Sequence, residues 1–230
     1  MNMKTLVIVR HGESEWNRKN LFTGWVDVDL SEKGKAEAHQ AGKALLCENF
    51  DFDICFTSYL KRAIHTQQII LEEMDREWLP VIKAWQLNER HYGALQGLNK
   101  ADTAAKYGEE QVHVWRRSFD VRPPELEANS PYNARLQAPY RDVPVSEVPL
   151  CESLSDTIRR TVPYFEEHIK PLILSDKRVF IAAHGNSLRS LVKYFEHLSD
   201  EEIIKVEIPT GKPLVYKFDE AFQVVEKYYL

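Results

Sequence analysis

The sequence predicts an α/β fold in which helices cover both faces of a mainly parallel sheet. Continuous apolar runs at residues 6–9 and 179–183 are typical of strands that are buried on both faces. The stretches 31–49 and 153–169 repeat apolar side chains at helical spacing. Because strands and helices alternate along the chain, we expect a three-layer α/β/α arrangement.

The first half of the chain begins with a strand that ends at Arg10-His11-Gly12. Open α/β sheets bind ligands at the carboxyl ends of their strands, so this triplet lies where a ligand site is expected. Ser31 is placed to cap the helix that runs to about residue 49. The other elements predicted in this half are a short helix at 16–20, a loop at 22–25, a strand at 52–58, a helix from 60 to about 74, a third strand at 80–83 and a polar loop at 87–93.

Residues 98–150 differ in character from the rest of the chain. Two short helical segments, 100–107 and 110–119, precede a proline-containing stretch. In that stretch apolar residues do not repeat at the spacing of a helix or a strand. A segment of this length without regular structure is usually functional in a compact domain. We therefore interpret 98–150 as a lid segment inserted into a single domain that spans residues 1–230.

The last third repeats the pattern of the first strand. The run 179–183 ends at His184-Gly185, which makes a second strand followed by His-Gly. Two such units in one chain are much less expected by chance than one. The remaining predicted elements are a capping box at Ser153-x-x-Asp156, a helix bent at Pro163, a helix over 188–195, a capping box at Ser199-x-x-Glu202 and a last strand at 214–218.

Composition excludes several classes of partner. The formal net charge is −5 and the sequence has no long basic run, which argues against nucleic acid or an anionic membrane as the main partner. Cys47, Cys55 and Cys151 are odd in number and widely spaced, which favours a reducing compartment and no zinc site. Without a signal h-region or an apolar run of about 20 residues, the chain is expected to be cytoplasmic.

Five residues at predicted strand ends combine into one chemistry: Arg10, His11, Arg62, Glu89 and His184. An arginine fork matches phosphate oxygens, and a neutral imidazole is a good nucleophile toward phosphorus. A second imidazole, if protonated, stabilises charge in the transition state, and a carboxylate moves protons on and off a hydroxyl. This set predicts phosphoryl transfer through a phosphohistidine without a metal. Further phosphate donors are expected from Ser14, Asn17, Thr23, Asn186 and backbone N–H groups at helix starts.

Each of these residues also has a structural interpretation. A strand-end histidine is more often a satisfied structural residue than a nucleophile, and Glu89 could simply pair with Arg90. Two histidines with a glutamate could in principle bind a metal. No H-x-x-x-H or facial-triad spacing supports that alternative, so no metal is expected.

The motifs resemble those of a known family. The first motif reads Arg10-His11-Gly12-Glu13-Ser14-x-Trp16-Asn17 and is similar to the signature of the histidine phosphatase superfamily. The run from Asn88 to Lys100, together with Trp115-Arg116-Arg117, narrows the resemblance to cofactor-dependent phosphoglycerate mutases. The resemblance covers essentially the whole chain.

The resemblance implies a role for each matching position. His11 would be the phosphorylated nucleophile, Glu89 the proton donor and acceptor, and Arg10, Arg62 and His184 the groups that hold the transferring phosphoryl. The lid cations Lys100, Arg116 and Arg117 suit the second anionic group of a three-carbon acid. The substrate-binding residues implied in this way are Ser14, Asn17, Thr23, Gly24, Arg90, His91, Tyr92, Lys100, Arg116, Arg117, Gly185 and Asn186.

The implied activity is the interconversion of 2-phosphoglycerate and 3-phosphoglycerate, with 2,3-bisphosphoglycerate priming His11. The partners would then be small phosphorylated three-carbon acids, and the resemblance also implies a homodimer. Two alternatives stay open at this point. One is a bisphosphoglycerate mutase or phosphatase that uses the same His11, and the other is a catalytically silent phosphate- or phosphopeptide-binding module on the same fold.

Overall fold

The central sheet of the computed structural model, which describes residues 3–230, is built around the two apolar runs. Its strands are β1 (Lys4–Arg10), β2 (Ile54–Thr57), β3 (Val81–Lys83), β4 (Val179–Ala183), β5 (Leu214–Phe218) and β6 (Val224–Tyr229). Within the described residues they form one six-stranded sheet in the order β3-β2-β4-β1-β5-β6. The pairings from β3 to β1 are parallel, and the pairings of β1 with β5 and of β5 with β6 are antiparallel, which confirms a mainly parallel sheet.

The register of the sheet brings the two His-Gly units together. β1 pairs with β4 in parallel, and Arg10 lies opposite Ala183 in that pairing. The residues that follow, His11 and His184, therefore leave the sheet side by side at its carboxyl edge. β2 pairs with the other side of β4, so Ser58 emerges at the same edge.

Helices cover both faces of the sheet. They are α1 (Glu15–Arg18), α2 (Glu32–Cys47), α3 (Lys61–Glu73), α4 (Lys100–Tyr107), α5 (Glu109–Arg117), α6 (Leu154–Tyr164), α7 (Lys170–Leu174), α8 (Gly185–Glu196) and α9 (Asp200–Lys205). Alternate residues of β1 point to opposite faces, so Leu6 packs in a cluster with α8, and Val7 in a cluster with α2 and α3. The predicted three layers are confirmed.

The helix starts follow the signals in the sequence. Ser31 accepts a hydrogen bond from the backbone N–H of Gly34 and caps α2. Both capping boxes are present, at Ser153 for α6 and at Ser199 for α9. The helix continues through Pro163, and a wider π-helical turn over Phe165–Ile169 then joins α6 to α7.

The lid segment is largely irregular, as predicted, but it is anchored. After α5 it contains only short 3₁₀ turns, at Ala134–Leu136 and Ala138–Tyr140, within the described chain. Tyr140 stacks on Trp25 with ring centroids 5.1 Å apart, in a buried cluster that also contains Val148. The proline-rich stretch therefore packs on the domain instead of lying free.

β6 was not predicted from the sequence. It lies at the sheet edge, and all six of its residues are exposed or only partly buried, in a pattern that does not alternate. An edge strand of this kind lacks the period of two that identifies a half-buried strand.

In the part of the chain that is described, no helix has the length and apolar character needed to cross a membrane.

Candidate active site

A cavity of about 590 Å³ opens at the carboxyl edge of the sheet. Arg10 ends β1 and His11 follows it, Gly185 and Asn186 begin α8, and Lys100 approaches from the lid segment. The other residues on its wall are Asn17, Leu21, Phe22, Thr23, Gly24, Arg62, Glu89, Tyr92, Arg116, Arg117, Arg189, Val206, Glu207, Ile208 and Pro209. Cationic side chains outnumber carboxylates on the described wall, so the cavity suits an anionic ligand.

The two histidines predicted to meet do so. The ring centroids of His11 and His184 lie 5.0 Å apart with an angle of 61° between the rings. Both side chains are buried, and the backbone N–H of His11 donates to the carbonyl of Ala183 at 3.0 Å. The pairing of β1 with β4 thus fixes the distance between the imidazoles.

The hydrogen bond of His11 determines which nitrogen can react. Its Nδ1 lies 2.6 Å from the carbonyl oxygen of Gly12. A carbonyl oxygen only accepts, so we assign the hydrogen to Nδ1, which leaves the lone pair on Nε2. Burial lowers the pKa of His11 well below its ordinary value, and Arg62 and Arg10 lower it further. His11 is therefore neutral near pH 7 and has a free nucleophilic nitrogen.

His184 is oriented by Ser58, which follows β2. Ser58 Oγ accepts from the N–H of Leu60 at 3.1 Å and lies 2.8 Å from Nε2 of His184. A serine oxygen has two lone pairs, so it can also accept from Nε2–H, and the contact is compatible with a hydrogen on either ring nitrogen of His184. The other ring nitrogen, Nδ1, is buried and has no hydrogen-bond partner among the described residues.

The sequence allows a protonated His184, but the surroundings of this ring in the structure favour its neutral form. Burial, followed by the charge of Arg62, lowers the pKa of His184 well below its ordinary value. The protein's own groups therefore favour a neutral imidazole. A dianionic phosphoryl group beside the ring would raise the pKa, and a ring protonated in this way would donate from both nitrogens.

Backbone carbonyls hold the two arginines nearest to His11. Arg62 is buried and donates to Val26 O at 2.9 Å and to Gly24 O at 2.7 Å. Burial lowers the pKa of Arg62 to about 10, so it stays cationic at pH 7. Arg10 donates through Nη1 to Ile208 O at 2.8 Å, whereas its buried Nε has no partner in the described part of the chain.

Glu89 is held by backbone N–H groups close to Arg10. Its Oε1 accepts from the N–H of Arg90 at 2.8 Å and from the N–H of Asn186 at 3.0 Å. A Cβ added to Gly185 would lie 3.7 Å from Glu89 Oε2 and 3.5 Å from Arg10 Nε, so both charged groups approach Gly185 closely. The carboxylate and the guanidinium of Arg10 therefore lie in the same part of the site.

The lid segment adds its cations to the far side of the cavity. Lys100, Arg116 and Arg117 all line the wall, as predicted. Burial lowers the pKa of Lys100, although the charge of Tyr92 opposes this effect. For Tyr92, burial raises the pKa, but the cations Arg90 and Lys100 lead to a net lowering.

Three residues predicted to bind substrate do not line the cavity, because their side chains have partners inside the protein. Ser14 Oγ accepts from the N–H of Asn17 at 3.1 Å and caps α1. The guanidinium of Arg90 donates to Trp115 O at 2.6 Å rather than pairing with Glu89, so the alternative of a Glu89–Arg90 pair is wrong. His91 is buried and its Nδ1 accepts from the N–H of Gly93 at 3.0 Å.

Sequence reasoning missed two residues of the site. Arg189 lies on the cavity wall and donates to Asn186 Oδ1 at 3.0 Å. It follows Asn186 by three positions on α8, and this spacing places the two on one helix face. Ser58 was placed at a strand end but given no role, although polar residues at that edge are the ones expected to meet.

The described residues include no group of three or more His, Cys, Asp or Glu side chains arranged to hold a metal ion. What they do assemble is a neutral histidine with a free Nε2, a second histidine beside it, buried arginines and one carboxylate. The fold and this site define a class of protein that transfers phosphoryl groups through histidine. Residues 6–147 match the family model of the histidine phosphatase superfamily (branch 1), and the chain belongs to that superfamily.

Sequence relatives place the chain within the superfamily. It is 68% identical over 225 residues to the 2,3-bisphosphoglycerate-dependent phosphoglycerate mutase of Treponema denticola, across 98% of this chain and 91% of the relative. It is 60% identical over 225 residues to the protein of the same name from Lachnoclostridium phytofermentans, across 98% of this chain and 90% of the relative. The chain is thus a member of the 2,3-bisphosphoglycerate-dependent phosphoglycerate mutase family, as the motifs indicated.

A solved structure supports the fold. The chain is similar to a mycobacterial glucosyl-3-phosphoglycerate phosphatase with a TM-score of 0.70 and 21% identity, across 99% of this chain and 97% of the other. At that level of identity the likeness concerns the fold alone. It confirms the predicted fold class.

Proposed function

We propose that this chain interconverts 2-phosphoglycerate and 3-phosphoglycerate through a phosphohistidine on His11. The main support is the arrangement of His11 itself. Its Nδ1–H bond to Gly12 O leaves Nε2 as the nucleophile, and its lowered pKa keeps that nitrogen neutral. A structural histidine would need neither a free nitrogen nor two arginines on a cavity wall.

The residues of the cavity fit 2,3-bisphosphoglycerate, the molecule that would prime His11. Arg10 Nε, on the cavity wall, is a buried donor without a partner in residues 3–230, and Nδ1 of His184, the ring next to His11, is also buried without a partner there. An unsatisfied buried polar group costs about 1–3 kcal/mol, so a phosphate oxygen would stabilise Arg10 Nε, and a phosphate would favour a protonated His184. Arg116 and Arg117 lie on the wall that the lid segment contributes and suit the second anionic end. When bound, this molecule supplies the phosphoryl group that His11 accepts.

The first half of the reaction uses residues at the carboxyl edge of the sheet. His11 Nε2 attacks phosphorus, and a nitrogen–phosphorus bond forms while the bond from phosphorus to the ester oxygen breaks. Arg10, Arg62 and His184 stabilise the charge on the equatorial oxygens. Glu89 protonates the departing oxygen.

The second half returns the phosphoryl group to a hydroxyl. Glu89, now a carboxylate, removes the proton of the accepting hydroxyl, and its oxygen attacks the phosphorus on His11. His11 departs as a neutral imidazole, with its Nδ1–H still directed at Gly12 O. The resulting bisphosphate must then be retained and turned, which is the task of the lid cations, so that it returns its other phosphate to His11 and leaves as the isomeric phosphoglycerate.

The lid cations support a mutase over a simple phosphatase. A phosphatase needs to hold only one phosphate and to admit water to His11, whereas a mutase must also hold the other end of a three-carbon acid. The position of Glu89, held by two backbone N–H groups, also counts against a catalytically silent binding module. Such a module would need the arginines but no group that moves protons.

Labelling with bisphosphoglycerate tests the proposal. We expect 2,3-bisphosphoglycerate carrying labelled phosphate to mark His11 in an acid-labile form, located by mass spectrometry of peptides. Isomer formation from 3-phosphoglycerate should then exceed phosphate release from the same substrate. A protein that stays unlabelled, or that releases phosphate faster than it forms the isomer, would contradict the mutase assignment.

The remaining predictions concern organisation. We propose that residues 1–230 act as one domain with 98–150 as its lid segment, in the cytoplasm, where the unpaired cysteines fit a reducing environment. We also propose a homodimer that forms at the sheet edge. β3 is an edge strand, and Ile82 and the preceding Trp78 are 42% and 74% exposed. Sedimentation of wild type and Trp78→Lys tests this, because a monomeric wild type would contradict it.

A further inference from the structure

A buried ion pair lies directly beneath the loop that contains Glu89. Arg160, from α6, donates through Nε to Glu152 Oε1 at 2.7 Å and through Nη2 to Glu152 Oε2 at 2.8 Å. The two side chains are 9% and 4% exposed. This bidentate geometry fixes the plane of the guanidinium.

The rest of the Arg160 guanidinium binds the backbone on the N-terminal side of the loop. Nη1 donates to Gln86 O at 2.8 Å and to Asn88 O at 3.0 Å, and Nη2 donates to Glu89 O at 2.8 Å. With the two bonds to Glu152, these contacts use all five N–H groups of the side chain. Arg160 therefore holds the backbone of Glu89 itself through a direct hydrogen bond.

Glu152 binds the other side of the same loop. Its Oε2 accepts from the backbone N–H of His91 at 2.8 Å, and its own backbone N–H donates to His91 O at 2.8 Å. The ion pair thus holds the backbone on both sides of Glu89, from residue 86 to residue 91. Neither side chain of the pair lines the cavity.

Stability alone is a weak reason for such a pair. Two charges removed from water lose solvation that their mutual attraction barely offsets, and apolar replacements are often equally stable. The contacts here are instead aimed at one short loop, which contains the carboxylate that must meet a substrate oxygen. A catalytic group has to be held within about 0.5 Å of its productive position.

We infer that Arg160 and Glu152 are positioning residues that fix Glu89 for proton transfer. This inference rests on the proposed function, because it assigns the pair to the step in which Glu89 protonates the leaving oxygen. A loosened loop would therefore slow transfers that need the proton. The rate at which His11 attacks a donor with a good leaving group would be nearly unchanged, because that step needs no proton from Glu89.

Two phosphoryl donors separate these effects. The leaving group of bisphosphoglycerate is an alkoxide oxygen of phosphoglycerate, which needs a proton. The leaving group of p-nitrophenyl phosphate is a stable phenolate, which needs none. In both cases His11 Nε2 forms the new bond to phosphorus as the ester bond breaks. Rapid quenching after mixing measures the rate at which His11 is phosphorylated by each donor.

The variants are Glu152→Gln and Arg160→Lys, with Arg159→Met as the matched control. Arg159 is the neighbouring residue on α6, is exposed, and contacts Asp156 instead of the loop. Because general acid catalysis contributes about 10²–10⁴-fold, we expect each loop variant to slow the bisphosphoglycerate reaction by about tenfold or more. The nitrophenyl reaction should change by less than about threefold, and Arg159→Met should change neither.

Equal slowing with both donors, or slowing with neither, would overturn the inference. Glu152→Gln keeps the size of the side chain, so it decides the question if Arg160→Lys does not fold, as judged by thermal melting. Failure of the proposed function is a different result, since wild type would then not be phosphorylated on His11 by bisphosphoglycerate at all.

Discussion

The two sides of the cavity differ in how firmly their charges are held. On the sheet side, Arg62 on the cavity wall and the His184 ring beside His11 are at most 1% exposed and are bonded to backbone or to other buried groups. On the lid side, Arg116 and Arg117 are partly exposed and extend from the end of a short helix. The sheet side is organised for a transition state, whose charge must meet fixed dipoles, whereas the lid side suits a ligand that has to turn.

The largest expected effect comes from the sheet side. His11→Ala removes the only nitrogen that we assign to attack on phosphorus, so the mutase rate should fall by about 10⁴-fold or more. Steady-state assays with 3-phosphoglycerate measure it, with Arg18→Ala, an exposed residue of α1, as the control. Substantial activity in His11→Ala would mean that the sheet side is not where the chemistry occurs.

Loss of a lid cation should weaken substrate binding without slowing the transfer of phosphate to His11. Arg116→Ala is expected to raise the KM for phosphoglycerate by about 10–100-fold, the range for one charge-assisted hydrogen bond. Phosphorylation of His11 by p-nitrophenyl phosphate, which has no second anionic group, should be unchanged. If both donors were affected equally, the distinction between the two sides would fail.

The buried histidines give the sheet side an acid sensitivity that the lid should lack. Burial lowers the pKa of His184 below that of the unfolded chain, so only the unfolded state gains a proton as pH falls below about 6.5. Stability is thus fully present above that pH, and each such histidine removes up to about 1.4 kcal/mol per pH unit below it. Urea unfolding of wild type between pH 7 and pH 5 measures this slope.

The matched pair for that experiment is His184→Asn and His113→Asn. His113 lies on α5 in the lid segment and is exposed. His184→Asn should flatten the slope of stability against pH, whatever it does to stability at pH 7, and His113→Asn should leave the slope as it is. An unchanged slope in His184→Asn would show that this imidazole takes up protons in the folded state as readily as in the unfolded chain.

Local signals in the sequence predicted the side of the site that the sheet positions. The apolar runs before His11 and His184 identified two buried strands, and parallel pairing then required their ends to meet. The lid segment gave no such signal, since its contacts, such as Asn88 Nδ2 to Tyr140 Oη at 2.8 Å, join residues far apart in the chain. The position of Arg90 was beyond prediction for the same reason, because its guanidinium binds the distant carbonyl of Trp115. A motif names residues, but only packing decides which side chains face the ligand.

The smallest effect is expected from an ion pair that spans the two sides. Arg117 Nη2 lies 2.6 Å from Oε1 of Glu207, and both residues line the cavity. Glu207 is largely exposed, so the pair contributes little to stability, but it partly neutralises a cation that the ligand needs. Glu207→Gln should therefore lower the KM for phosphoglycerate by about threefold with kcat unchanged.

The control for this prediction is Glu201→Gln, an exposed change of equal charge on α9, because removing any carboxylate also reduces long-range repulsion. A KM that falls equally in both variants would assign the effect to overall charge, and a KM that rises in Glu207→Gln would mean that this carboxylate holds Arg117 in its binding position.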